Sequence, residues 1–262
     1  MPYPNTGSRP VPAEADVQAV LARITAAVGA AVRPHAIILF GSRARGTHRP
    51  DSDIDLVVVL PPGIPYQTGR EAVSDAYRPA AAGYGHPIDV VVVPYAEWVR
   101  YREVPGTVVK PAAHEGRVLW GAIDWPSGVS APEPPPYGEV AARWAERAEA
   151  DYLTAIDLLS LEKPYNLDGV CFHAQQAAEK YLKAYYVQLG RDFPFTHDID
   201  ELVAGLPAAA RSAIDPADSG LFKDYAVETR YAEKPKCPDR ETAARAAAAA
   251  GRVRAEMRKR LP

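Results

Sequence analysis

Cysteine, net charge and long apolar runs are all scarce in this chain, and each scarcity removes a class of protein. Only Cys171 and Cys237 occur among 262 residues. They are too few for a disulfide framework and lack metal-ligand spacing, so a reducing, cytoplasmic compartment is the expectation. Lys and Arg number 30 against 33 Asp and Glu, for a formal net charge of −3. That excludes a broadly basic surface and the bulk attraction to nucleic acid it would bring, leaving only local basic patches open. No stretch reaches the roughly 18 apolar residues of a membrane span. The start, Met1-Pro2-Tyr3-Pro4-Asn5, has neither the basic nor the apolar region of an export signal. No membrane association is expected, and no internal repeat is found.

What remains is an ordinary globular composition, 47% apolar and 24% charged, over a length that suits two domains. Residues 1–12 are proline-rich and expected to fray. From Ala13 to Val32, Val17, Val20, Leu21, Ile24, Ala27 and Val28 recur at helical spacing. Ala36–Phe40, Ile54–Leu60, Ile88–Val93 and Arg117–Trp120 read as short strands, with helices over Gly69–Ala82 and Ala96–Arg102. This is an α/β order with one sheet and flanking helices. Residues 125–136 (WPSGVSAPEPPP) pack five prolines with glycine and serine, and read as a stiff linker. Beyond it the character changes. Glu139–Leu161 and Asp168–Leu189 are long, rich in alanine and leucine, and helical, with further pieces at Asp198–Ala204, Phe222–Tyr231 and Arg240–Arg260. This half is expected to be an all-α up-and-down bundle. The domains are then 13–124, the linker 125–136, and 137–260.

The chemistry concentrates in the first half. Gly41 and Ser42 follow a buried strand, and after ten intervening residues come Asp53-Ile54-Asp55; Asp89 sits inside a later apolar run. Side chains on a strand alternate, so Asp53 and Asp55 share a face while Ile54 enters the core. Two acids side by side repel unless something positive lies between them, and hard Mg²⁺ prefers such oxygen ligands. A bare Asp89 charge among apolar neighbours would be costly, so its strand is expected beside that of Asp53. A glycine turn lets backbone N–H groups face an anion. Ser42 can donate its hydroxyl to a phosphate, and Arg43 and Arg45 are placed to neutralise phosphate charge. Asp51-Ser52 reads as turn chemistry.

These residues resemble the minimal nucleotidyltransferase family, relatives of DNA polymerase β and of aminoglycoside nucleotidyltransferases, whose pattern is Gly-Ser, ten residues, Asp-x-Asp, and a later acid between apolar residues. Gly41, Ser42, Asp53, Asp55 and Asp89 match it without a gap, over about residues 13–124. The resemblance implies a mixed sheet with flanking helices, two Mg²⁺ ions, and transfer of a nucleoside monophosphate from ATP or another nucleoside triphosphate. It makes Asp53 and Asp55 metal ligands, and Asp89 a third ligand or the acceptor's base. Gly41 and Ser42 become the phosphate grip.

In the helical half, His173, Gln176 and Lys180 fall on one helical face, beside an apolar stripe of Phe172, Ala178 and Leu182 that makes an ordinary structural helix the plain alternative. Asp198 with Glu201 looks like a capping box. Arg191 and His197, with five residues between them, also fit phosphodiester cleavage without a metal, His as base and Arg stabilising the phosphorane. The segment CFHAQQAAEKYLKAYYVQLGRDFPFTHDIDEL is similar to the HEPN family, helical bundles often joined to such transferases. Some members are metal-independent ribonucleases using a similar Arg–His pair; here Pro194 places the pair in a loop. Arg230-Tyr231 is a further feature of HEPN-like sequences.

The expectation is an Mg²⁺-dependent nucleotidyltransferase whose acceptor (RNA, protein or small molecule) is positioned by the helical half, with a homodimer as the expected assembly. The alternatives are an aminoglycoside-type transferase, a one-chain toxin–antitoxin-like pair whose helical half cuts RNA, and a nucleotide-binding module without turnover; Arg191, His197 and His173 are the candidates for an RNA-cutting or an acceptor pocket.

Overall fold

The computed structural model describes residues 12–123, 137–161, 166–194, 196–222 and 238–262. The chain divides into two compact units, one formed by residues 1–103 and 107–134, the other by 104–106 and 135–262. The proline-rich segments, 1–11 and 125–136, the Arg230-Tyr231 pair and Cys237 lie outside the described residues.

The first unit runs α1 (Glu14–Val32), β1 (Ala36–Phe40), α2 (Gly41–Arg45), β2 (Ile54–Val59), α3 (Tyr66–Ala81), β3 (Ile88–Val93), α4 (Tyr95–Tyr101), α5 (Val109–Glu115) and β4 (Arg117–Gly121). Its four strands lie in the order β3-β2-β1-β4. β1 is antiparallel to both β2 and β4, and β2 is parallel to β3, so the sheet is mixed. Ile37 and Leu39 of β1 share a core with Ile54, Leu56 and Val58 of β2 and with Val17, Val20, Leu21, Ile24 and Val28 of α1. By period-two alternation Ile38, Val57 and Val59 face the other way, and they too are fully buried.

Three features differ from expectation. The Gly41-Ser42 turn is the start of a short helix, α2, and a second unforeseen helix, α5, follows Val108. Pro111 in α5 lies in its first turn, where no intrahelical N–H is needed. α1, near the N-terminus, is long and apolar enough by composition to cross a bilayer, with a mean hydropathy of 1.4 over its best window. Its apolarity is accounted for by the core it shares with the sheet, and none of the other described helices passes that test.

The second unit contains α6 (Tyr137–Ser160), α7 (Leu167–Gln188), α8 (Ile199–Ala204), α9 (Ala208–Arg211), α10 (Pro216–Gly220) and α11 (Arg240–Arg258). All the described elements here are helical. α7 is the central helix: Val170, Cys171, Ala174, Ala177, Ala178, Tyr181 and Leu182 are all essentially inaccessible. The alanines of α11, Ala243, Ala246, Ala247 and Ala250, repeat at i, i+3, i+4 and i+7 and pack into the same core. Small side chains let the helices approach closely. Helix starts are capped by Asn166, whose Oδ1 accepts from the Gly169 N–H at 2.8 Å, and by Asp239, which accepts from Thr242 at 2.7 Å. Asp198 caps α8 through the Asp200 N–H at 2.8 Å. α9 and α10 were not foreseen, and the expected Phe222–Tyr231 helix lies almost wholly outside the described residues.

Candidate active site

β1 ends at Phe40, whose Cα lies opposite Asp55 in the β1–β2 register. The chain then turns sharply: Gly41 has φ +71°, a left-handed conformation that side chains disfavour. α2 follows for little more than one turn and closes at Gly46, φ +72°, with the Gly46 and Thr47 N–H groups both donating to the Ser42 carbonyl. Ser42 thus sits in the first turn of a helix that leaves the end of a buried strand.

Asp55 and Asp89 come from the neighbouring strands, and Asp53 from the residue just before β2. β2 and β3 run in parallel register with Asp55 opposite Asp89, and the Ile54 N–H reaches the Pro87 carbonyl at 3.2 Å. Asp53, Asp55 and Asp89 each place a carboxylate oxygen within 4.8 Å of the other two. Because Asp55 alternates with the core residues Ile54 and Leu56, it points to the sheet face opposite α1 and α3. β3 is an edge strand, and Asp89 is exposed. Its charge therefore meets water, which corrects the expectation that apolar neighbours would make it costly there.

The electrostatics of the cluster follow from its crowding. Asp55 is pushed up to about 6 by burial, then by the charges of Asp53 and Asp89; Arg45 and Arg43 oppose the shift without cancelling it. Three carboxylates held this close, one of them reluctant to ionise, fit a divalent cation, which would relieve all three repulsions at once.

The two arginines are used differently. The Arg43 side chain is only 4% exposed, and its guanidinium donates to the carbonyls of Pro50, Ser52 and Asp53. Those donors grip the chain's own loop. Arg45 pairs with Glu115 at 3.1 Å and lies near enough to Asp55 to favour its charge.

In the helical unit the candidate residues fall into separate groups. His173 Nδ1 lies 2.8 Å from Asp151 Oδ1, and Lys180 contacts the other oxygen of the same carboxylate. The Arg191 guanidinium lies over the Tyr186 ring at 5.9 Å. His197 Nδ1 lies 3.1 Å and 3.2 Å from the two oxygens of Glu179. The two histidines are thus held by different carboxylates. Glu179 escaped the sequence reading. It is buried, receives Gln175 at 2.8 Å and Lys183 at 2.6 Å, and is held down at about 2. Burial opposes its charge, but the His197 hydrogen bond and the Lys183 charge together prevail. The signal was present: Gln175, Glu179 and Lys183 stand at i, i+4 and i+8, a ladder of mutually reachable polar side chains.

A mixed sheet gathers three acids beside a glycine turn, and the family that this part of the chain matches gives the arrangement its class, the nucleotidyltransferases. Residues 22–112 match the nucleotidyltransferase domain family, and residues 141–260 match the HEPN domain family. The chain therefore joins a nucleotidyltransferase domain to a HEPN domain. Among solved structures, a crystal structure of spectinomycin adenyltransferase AAD(9) from Enterococcus faecialis with ATP and spectinomycin matches 92% of this chain and 99% of its own, at 14% sequence identity and a TM-score of 0.48. No curated protein matches the sequence.

Proposed function

We propose that the first unit is an Mg²⁺-dependent transferase that moves a nucleoside monophosphate, AMP from ATP in the first instance, to an acceptor hydroxyl with release of pyrophosphate. The helical unit positions that acceptor. The observation that carries this is the convergence of Asp53, Asp55 and Asp89 within 4.8 Å, from the start of β2 and from its neighbour β3, beside Gly41. Asp53 and Asp55 are the metal ligands; Asp89 is the third ligand, or the base that receives the acceptor's proton. Two Mg²⁺ ions at these carboxylates would supply phosphate charge neutralisation and a more acidic attacking hydroxyl. Ser42 donates its hydroxyl to the triphosphate, Gly41 allows the close backbone approach, and Arg45 adds positive charge. With this proposal go a cytoplasmic location, in keeping with a chain of only two cysteines, and a homodimeric assembly.

The test is incubation of the purified protein and Mg²⁺ with labelled ATP and total cell extract. Label should enter an RNA, protein or small-molecule fraction, with pyrophosphate released, and Asp55→Asn should stop it. Protein that transfers no label and binds no triphosphate by calorimetry would sink the reading.

A second reading, of the helical unit as a metal-independent ribonuclease held in check by the transferase half, is favoured by the Glu179–His197 contact. A carboxylate on Nδ1 fixes a histidine's tautomer and leaves Nε2 as the working nitrogen, and the His197 side chain is 65% exposed. This reading requires RNA cleavage that survives EDTA and disappears in His197→Ala.

A further inference from the structure

We infer that Arg43 positions the Asp53 carboxylate, and so ties the nucleotide-gripping turn to the metal-binding acids. The inference rests on the proposed role of Asp53 as a metal ligand. β2 and its pairing with β3 begin at Ile54, so Asp53 stands one residue outside the ladder, exposed, at the end of the loop that follows Gly46. A ligand in that place needs something other than the sheet to aim it.

Arg43 supplies it. Nε donates to the Ser52 carbonyl at 3.1 Å and to the Asp53 carbonyl at 3.0 Å; Nη2 donates to Ser52 at 2.6 Å and to Pro50 at 3.4 Å. The Ser52 carbonyl belongs to the peptide plane before the Asp53 Cα, and the Asp53 carbonyl to the plane after it. Those two planes are related only by φ and ψ of Asp53. One guanidinium therefore restrains both backbone torsions of the ligand, and with them the direction of its Cα–Cβ bond. The loop is braced upstream as well, where the Arg49 N–H meets Ser52 Oγ and the Ser52 N–H meets the Arg49 carbonyl, both at 3.0 Å.

The chemistry suits arginine specifically. Its planar fork reaches several acceptors at once, whereas an ammonium is a point charge on a flexible stem. The remaining nitrogen, Nη1, lies 3.9 Å from Glu14 Oε2. A guanidinium so occupied is poorly free to meet a phosphate. Its place in the chain gives it a second consequence: Arg43 follows Ser42 directly. Movement of the turn as it grips a triphosphate is transmitted to Asp53 through a single side chain.

The test separates metal binding from nucleotide binding. Mn²⁺ alone is titrated by electron paramagnetic resonance into wild type, Arg43→Lys, Asp53→Asn and the double variant, and ATP binding in EDTA is measured on the same proteins by calorimetry. Arg43→Lys should weaken Mn²⁺ binding about tenfold, as loss of a ligand-orienting partner does, while metal-free ATP binding stays at the wild-type level. In the Asp53→Asn background the same change should cost nothing further. Loss of metal-free ATP binding with Mn²⁺ binding intact would overturn the inference in favour of a direct phosphate contact. An Arg43→Lys effect that persists undiminished beside Asp53→Asn would overturn it too. Wild-type Mn²⁺ affinity in Asp53→Asn, or no Mn²⁺ uptake by the wild type, would instead remove the metal reading of Asp53 on which the inference stands. If Arg43→Lys does not fold, Arg43→Gln, which keeps one donor for the two carbonyls, takes its place with the same expected results.

Discussion

A methyl group on Gly41 would collide with the Asp55 Oδ2. The turn that follows β1 is thus packed directly against a carboxylate of the acid cluster, at the point where Phe40 and Asp55 are register partners. Glycine is required there twice, once by contact and once by its φ of +71°.

Gly41→Ala should therefore damage stability and activity together. The left-handed backbone alone costs about 1–3 kcal/mol with a side chain present. Relief of the collision must move Asp55 or the turn, and a displacement of about 1 Å in a reacting constellation costs about a hundredfold in rate. A melting curve and a pyrophosphate-release assay check the two effects. Gly46→Ala makes the contrast: its φ is also positive, but a Cβ there meets open space, so it should lose stability and keep most of the activity.

Asp55 makes a prediction of opposite sign for stability. Its pKa is raised on folding from 3.8 to about 6, so the fold disfavours its charged form. That penalty is absent below pH 3.8, grows between 3.8 and about 6, and is complete above. Asp55→Asn should accordingly melt a few degrees higher than wild type at pH 7.5 without divalent cations, for a gain of up to about 2 kcal/mol. The difference should shrink as the pH falls toward 4. In saturating Mg²⁺ the order should reverse, because the cation stabilises only the protein that keeps the carboxylate. Equal melting temperatures for the two proteins at every pH would count against the clustering of charge.

The acids were legible in the sequence because their signal is local. Period-two alternation puts Asp55 on the face opposite Ile54 and Leu56 whatever the rest of the chain does, Asp53 stands immediately before that strand, and the apolar run around Asp89 announces its strand. Solvent exposure was not legible. Asp89 reads as costly in a run of Ile and Val, but strand order depends on long-range pairing, and β3 came to lie at the edge. The contacts of Arg43 were not legible for a related reason: its position beside Ser42 suggests a phosphate, while the acceptors the structure gives it are backbone carbonyls, which carry no sequence signature. Glu179 was hidden by company. In a helix rich in alanine, one glutamate reads as a solvated face until the fold buries it.

That burial makes Glu179 a sensitive acid of the helical unit. Its pKa falls from 4.5 to about 2 on folding, so it contributes stability that is complete above about pH 4.5 and is lost as pH falls toward 2. The unit should loosen across that window, with a shallower slope in Glu179→Gln. At neutral pH the same substitution leaves Lys183, itself buried, without its carboxylate, and breaking a buried pair from one side costs about 3–5 kcal/mol. Adding Lys183→Met removes the orphaned charge and should recover much of the loss, since an apolar replacement of both partners is often nearly neutral. Thermal melts of the three proteins from pH 7 to pH 2.5 decide it. If Glu179→Gln melts with the wild type throughout, the His197–Glu179–Lys183 cluster is not a structural hub, and the orientation of His197 must come from elsewhere.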